Sequence, residues 1–428
     1  MVDEEGAPVS KSFARLGALM NGPRRQVPGP MRIEQPWGPG FRIKGGEVEW
    51  QNWKFHFRHE QRAGLVISTA SWRQGDEWRP VLYQGHLAEI AKPLMPGSDC
   101  PDHAVFANGL VSDGNGRPRD IPKAICLFER EAGDMAWRHH SNEPDSRRKR
   151  DLVVRFAAVL GNYDYIFDWV FQQDGSIRVS IGATGIAETK SVAQASAEPP
   201  EPSSSGDNGA SKEPADAYGR FVDKNVVAVN HDHYFNFRLD LDVDGPNNSF
   251  LLDRLAPKTL APGLPRRSLW VREPSVANTE NEAKLHMNMT SPALWRVVSS
   301  SRKNHVGYPT SFQLVSGMNT HTLLSADDYP RRRAGFIDHH LWVTPYRPQE
   351  RYAAGEYPTL SEPGKGLPVW TKANRSIRNT DTVLWHTIGM HHMVRAEDWP
   401  IMPVLWHSFE LRPFDFLDRN PALDLPGK

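Results

Sequence analysis

The sequence predicts an all-β fold, a large antiparallel β-sandwich, on three observations. From Glu47 onward, short aromatic-rich runs alternate with Gly, Pro and Asp, the punctuation of hairpins rather than helices. Tyr163, Tyr165, Phe167, Trp169 and Phe171 occupy every second position, which lines five aromatic rings along one strand face. Asp174-Gly175 then separates that run from Ile177–Ile181, and this dipeptide favours a tight hairpin turn.

The strands follow from the same patterns. Val48–Phe57, Leu65–Trp72, Leu152–Val159, Tyr163–Phe171, Ile177–Ile181, Tyr234–Leu241 and Leu341–Thr344 are read as strands. Long helical periodicity is scarce, and no internal repeat is evident. Residues 1–35 read as a disordered tail, and residues 36–428 as one domain. Within it, a Ser-, Pro-, Glu- and Ala-rich stretch at about 190–215 reads as a mobile surface loop.

Composition excludes several function classes. Lys+Arg and Asp+Glu both number 51, so no basic field exists to attract nucleic acid. No run of about 18 apolar residues is present to span a membrane. The first 30 residues lack the apolar core of a secretory signal, so a cytoplasmic location is expected. Two cysteines, Cys100 and Cys126, are expected to be free in that compartment, although a bridge between them stays open.

Three short motifs carry chemistry. In Asn230-His231-Asp232-His233-Tyr234, strand alternation places His231 and His233 on one face, where both imidazoles can reach one ion. Alone, such a pair equally fits two hydrogen-bonded core histidines. Far downstream, His391-His392-Met393-Val394-Arg395-Ala396-Glu397-Asp398 offers a third imidazole. Between the sheet's first strands and these, Asn162-Tyr163-Asp164-Tyr165 is, as a bare peptide, one more aromatic strand.

Taken together and in this order, the three motifs resemble the copper- and topaquinone-dependent primary amine oxidases, leaning to the tyramine-oxidase type. The resemblance extends over roughly residues 40–425, through Arg79-Pro80-Val81-Leu82-Tyr83, Ile121–Cys126, Gly182–Ile186, Leu341–Thr344 and Phe414–Pro421. It implies the family's supersandwich catalytic domain. It also implies copper(II) on His231, His233 and His392, and a topaquinone formed from Tyr163 between Asn162 and Asp164. The implied reaction takes a small primary amine and dioxygen to an aldehyde, ammonia and hydrogen peroxide. The quinone supplies an electrophilic carbonyl that no standard side chain offers. The resemblance further implies a homodimer, a disulfide between Cys100 and Cys126, and a peripheral calcium. That ion would sit on Asp240, Asp242 and Asp381 with the carbonyls of Leu241 and Thr382. Hard oxygen donors suit calcium, although the acids alone also fit a solvated surface.

The chain departs from the family in one region. There, the strand resembling Val81–Ile90 runs into a segment bearing a quinone-contacting Tyr and the Asp that removes the substrate's α-proton. Here Glu89-Ile90 leads directly through Ala91–Ser98 to Asp99-Cys100, so both positions are missing. Asp99, Asp102, His86 and Tyr83 are the acids and bases left nearby as substitutes, and each also fits an ordinary loop or core role. Val159 stands where the family prefers Thr. The departure leaves a second reading open: a non-catalytic copper-binding β-sandwich.

Overall fold

The structure, a computed structural model, describes residues 29, 33–87, 91–140, 144–197, 214–357 and 365–427. Most of the expected 1–35 tail, and residues 198–213 of the expected loop, lie outside the described residues. The loop's first residues are strand: Thr189–Ser191 pairs antiparallel with Val226–Val229.

Two large antiparallel sheets form the sandwich. The first has eight strands, running Arg42–Lys44, Glu47–Trp50, Trp53–Glu60, Gly64–Gln74, Glu77–His86, His231–Asp240, Thr382–His392 and Leu341–Pro345. The second has eleven strands, and Tyr163–Gln172 lies inside it between Asp151–Leu160 and Ile177–Gly185. The expected single strand Val48–Phe57 is a hairpin instead, folding back at Gln51-Asn52 so that Trp50 faces Trp53. Gln51 adopts φ 51°, a left-handed turn geometry that apolar patterning does not reveal.

Period-two alternation builds the core. All five aromatics from Tyr163 to Phe171 are buried. They meet inward-facing rings of the other sheet: Phe55 stacks on Phe171 at 3.9 Å, and Phe235 meets Tyr165 edge-on at 5.2 Å. Trp53 Nε1 donates to the Gln172 carbonyl at 2.8 Å, satisfying a polar atom that burial would otherwise penalise. The sheets approach closely because Gly85 lacks a Cβ, which would sit 2.5 Å from the Trp169 ring.

The outer face of the eleven-stranded sheet carries a smaller cluster of Leu94, Cys100, Cys126, Phe128, Val153 and Val170. Cys100 and Cys126 are bridged, as the family resemblance implies, so the expectation of free thiols is corrected. Closing that 26-residue separation restricts the unfolded chain by about 3.5 kcal/mol in the chain-entropy account. His86 ends a strand of the first sheet, and Ala91 pairs with Ala158 in the second.

Candidate metal centre

Two paired strands and one facing strand assemble the centre. His231–Asp240 and Thr382–His392 run antiparallel with His231 directly opposite His392. That register, not sequence proximity, brings the third imidazole to the first two. Across the interior, Tyr163–Gln172 presents Tyr163 and Tyr165 on its buried face. The Tyr163 hydroxyl lies 2.7 Å from His231 Nε2.

The histidines converge through specific nitrogens. His231 Nε2 is 3.1 Å from His233 Nε2 and 3.2 Å from His392 Nδ1. Each ring's other nitrogen has an acceptor at hand. His231 Nδ1 faces the Val229 carbonyl at 2.8 Å, and His233 Nδ1 faces the Tyr165 hydroxyl at 2.9 Å. His392 Nε2 faces Asp398 Oδ2 at 3.1 Å. With the protons held on those outer nitrogens, three inner lone pairs point at one another. The Tyr163 hydroxyl can donate to the His231 lone pair, and a cation among the rings would take all three. Two nitrogens each 2.0–2.1 Å from one ion stand about 2.9–3.4 Å apart, for angles from square to tetrahedral. The observed separations therefore fit a single ion, and a tris-imidazole set with open positions suits copper(II).

Electrostatics favour neutral ligands. Burial, with the neighbouring His231 and His392, pushes His233 down to about 3. Burial likewise lowers His231. Tyr163 is pushed up to about 12 by burial, a backbone hydrogen bond at Glu188 pulling part of the way back. The phenol is thus neutral until a cation or base acts on it. Beside it, Gly185 holds φ +99°, and a Cβ there would lie 2.6 Å from the Asn162 carbonyl. Asn162 and Asp164 are exposed at the strand's start, with Asp164 on the face opposite Tyr163.

The acidic group also assembles. Asp240, Asp242 and Asp381 each place one carboxylate oxygen within 4.8 Å of the others. Asp240 Oδ1, Asp242 Oδ1, Asp381 Oδ1 and the adjacent Thr382 Oγ1 are buried without a partner among the described residues. Leu241 is buried between Asp240 and Asp242. Burial is the main cause that raises Asp240 to about 7 and Asp242 to about 6, with the Asp381 charge adding to both. Unpartnered oxygens crowded this way are the donor set of a hard cation.

The substitute bases fall elsewhere. Arg155 pairs with Asp168 at 2.6 Å and donates to the Asp99 carbonyl at 2.6 Å. Asp168 alternates with Phe167 and Trp169, so Asp99 lies over the outer face, away from Tyr163. Its carboxylate accepts the Met95 amide at 2.8 Å. Asp102 packs against Gly97 in the same turn region. His86 is register-paired with Arg238 and lines a cavity with Tyr346 and Tyr352 on the outer side of the other sheet. Tyr83 is 46% exposed beside Tyr346. None of the four faces the Tyr163 hydroxyl.

Sequence reasoning missed three contributors. Asp398, which orients His392, lay inside a quoted motif but was given no role. Tyr165 shares Tyr163's face by alternation, which was a usable signal. Glu188 reaches the centre only through folding, its carboxylate lying 3.8 Å from a Cβ placed at Gly161.

Comparison with known proteins agrees with this geometry. The family model "Copper amine oxidase, enzyme domain" matches in two pieces, residues 42–93 and 85–428. Amine oxidase [copper-containing] gamma 2 of Arabidopsis thaliana is 38% identical over 99% of this chain and 66% of its own length. The primary amine oxidase of Pisum sativum is 38% identical, covering 91% of this chain and 61% of its own length. That of Klebsiella aerogenes is 35% identical, covering 92% and 55%. These identities do not single out a tyramine-oxidase type. The chain therefore spans between about half and two thirds of these relatives. A copper-containing benzylamine oxidase from Hansenula polymorpha superposes with a TM-score of 0.86 at 27% identity, over 96% of this chain and 66% of that one. A tris-imidazole centre facing a buried tyrosine, on a sandwich matched over nearly its whole length, makes this chain a member of the copper amine oxidase enzyme-domain family.

Proposed function

We propose that this chain carries out copper- and topaquinone-dependent oxidative deamination of a primary amine, yielding an aldehyde, ammonia and hydrogen peroxide. The observation that carries the reading is the Tyr163 hydroxyl, 2.7 Å from His231 Nε2 at the rim of three converging imidazoles. Copper would supply dioxygen activation, and the quinone derived from Tyr163 an electrophilic carbonyl for the amine. His231, His233 and His392 would hold the metal. Asp398, the Val229 carbonyl and the Tyr165 hydroxyl would keep the three rings in their ligating tautomers. Burial would exclude water from the reacting phenol. Calcium on Asp240, Leu241, Asp242, Asp381 and Thr382 would neutralise the crowded acids.

We further propose that the family's proton-abstracting segment is missing. In support, the two family matches meet and overlap at residues 85–93. His86 ends a strand of one sheet and Ala91 already pairs in the other, so the sequence between them is too short for the family's intervening segment. General-base catalysis is typically worth about 10²–10⁴-fold, so simple amines should turn over slowly. A missing base would also favour the second reading, a non-catalytic copper-binding sandwich.

Aerobic copper loading followed by phenylhydrazine titration separates the readings. A coloured adduct on the Tyr163 peptide, with tyramine oxidation far slower than in a base-bearing relative, is expected. An unmodified Tyr163 rejects the oxidase reading. Rapid tyramine oxidation rejects the missing base.

A further inference from the structure

A second group of imidazoles assembles away from this centre. His286 precedes the Ala293–Lys303 strand, His321 follows Pro309–Val315, and His340 immediately precedes Leu341–Pro345. Their ring centroids are 4.8 Å (His286–His321), 5.3 Å (His286–His340) and 4.4 Å (His321–His340) apart. One nitrogen of each lies within 4.8 Å of the others. The His339 ring adjoins at 4.8 Å from His286.

This cluster is separate from the His231–His233–His392 centre. Thr320, beside His321, packs against Gly389 and Tyr234. Those positions alternate with Met390, His392 and His233, and so belong to the opposite, outer face of the eight-stranded sheet. Nothing in the amine oxidation described above uses these residues.

Two of the three rings have uncommitted nitrogens. His286 and His321 are exposed, and no hydrogen bond engages either ring among the described residues. His339 Nδ1 is buried without a partner. His340 is anchored: its Nδ1 accepts the Met287 amide at 3.0 Å, and its Nε2 faces the Thr320 carbonyl at 3.1 Å. Ligation through His340 exchanges one of those contacts for the ion. Burial and mutual proximity lower His286, and push His339 and His340 down to about 4, so these rings are neutral at pH 7. Nearby charges act in both directions: the Asp338 carboxylate favours a cation, and Lys284 opposes one. Imidazoles without carboxylate ligands select borderline first-row metals over calcium or magnesium.

We propose that His286, His321 and His340 form a second metal site for a first-row transition-metal dication such as Zn(II) or Cu(II). Three segments distant in sequence meet there, so the ion clips them together on the outer face. Such a clip stabilises the folded chain without touching the reacting groups.

Zinc is the probe. Protein given one equivalent of copper per chain, and H392A given none, is equilibrated with micromolar Zn(II), dialysed, and assayed for both metals by mass spectrometry. The wild type is expected to retain about one zinc more per chain than H286A/H321A, with equal copper in both. Zinc should raise the thermal midpoint of the wild type and leave that of H286A/H321A unchanged. Both substituted residues are exposed, so the metal-free midpoints should agree. H392A, which disables the first centre, should still take up the zinc. Equal zinc in wild type and H286A/H321A, or loss of the zinc in H392A, overturns the proposal.

Discussion

Replacing Asp398 with Asn tests how the centre is oriented. The Asp398 carboxylate is 1% exposed and receives three donors: His392 Nε2 at 3.1 Å, the Arg395 amide at 3.1 Å and Arg395 Nε at 3.2 Å. D398N keeps the shape, removes the charge, and turns one acceptor oxygen into a donor. One of the three N–H groups then faces another N–H. A hydrogen bond to a charged group contributes roughly 1.5–3 kcal/mol, and losing it frees His392 to change tautomer or swing. Outer partners of metal-ligating histidines typically govern about 10–100-fold in affinity, equivalent to about 1.4–2.8 kcal/mol. Copper affinity of D398N should therefore fall by about 10–100-fold. Competition against a chelator of known affinity at pH 7.5 measures it. A D398N affinity within about 2-fold of wild type, well outside the 10–100-fold range, refutes the reasoning.

Three further outcomes are expected. H231A, H233A and H392A should each abolish stoichiometric copper, and full retention in any one removes that residue from the ligand set. Without calcium, Asp240 and Asp242 titrate in the folded chain at about 7 and about 6, above the ordinary 3.8. Raised carboxyl values mean the folded chain holds protons that the unfolded chain releases. The calcium-free thermal midpoint should fall as pH rises from about 4 to about 7, and calcium should raise it more at pH 8 than at pH 5. A calcium-independent midpoint at pH 8 rejects the acidic site. The homodimer that the family resemblance implies is expected in solution, and the Asn248–Thr259 and Ser268–Ala277 hairpin, which exposes Trp270 by 69%, offers apolar surface for it. Light scattering should show twice the 48.3 kDa chain mass at micromolar concentration, and a single monomeric species rejects that assembly.

What the sequence by itself determined is local. The period-two aromatics from Tyr163 to Phe171 could bury one face only as a strand, and they do. The His231–Asp232–His233 spacing already placed two imidazoles on one side of a strand. The motifs around Tyr163 and His392 pointed to the family. Only the tertiary structure decided which nitrogens meet. His392 stands 161 residues from His231, and the register between their strands, set by sheet order, makes them neighbours. The same holds for Asp99, near the proposed deletion in sequence yet on the wrong face of its sheet, and for His286, His321 and His340, which show no spacing signal. Side-chain direction within a strand follows from alternation, a property of adjacent residues. Convergence of distant strands follows from how two sheets stack and from which strands share an edge, and no local pattern encodes that.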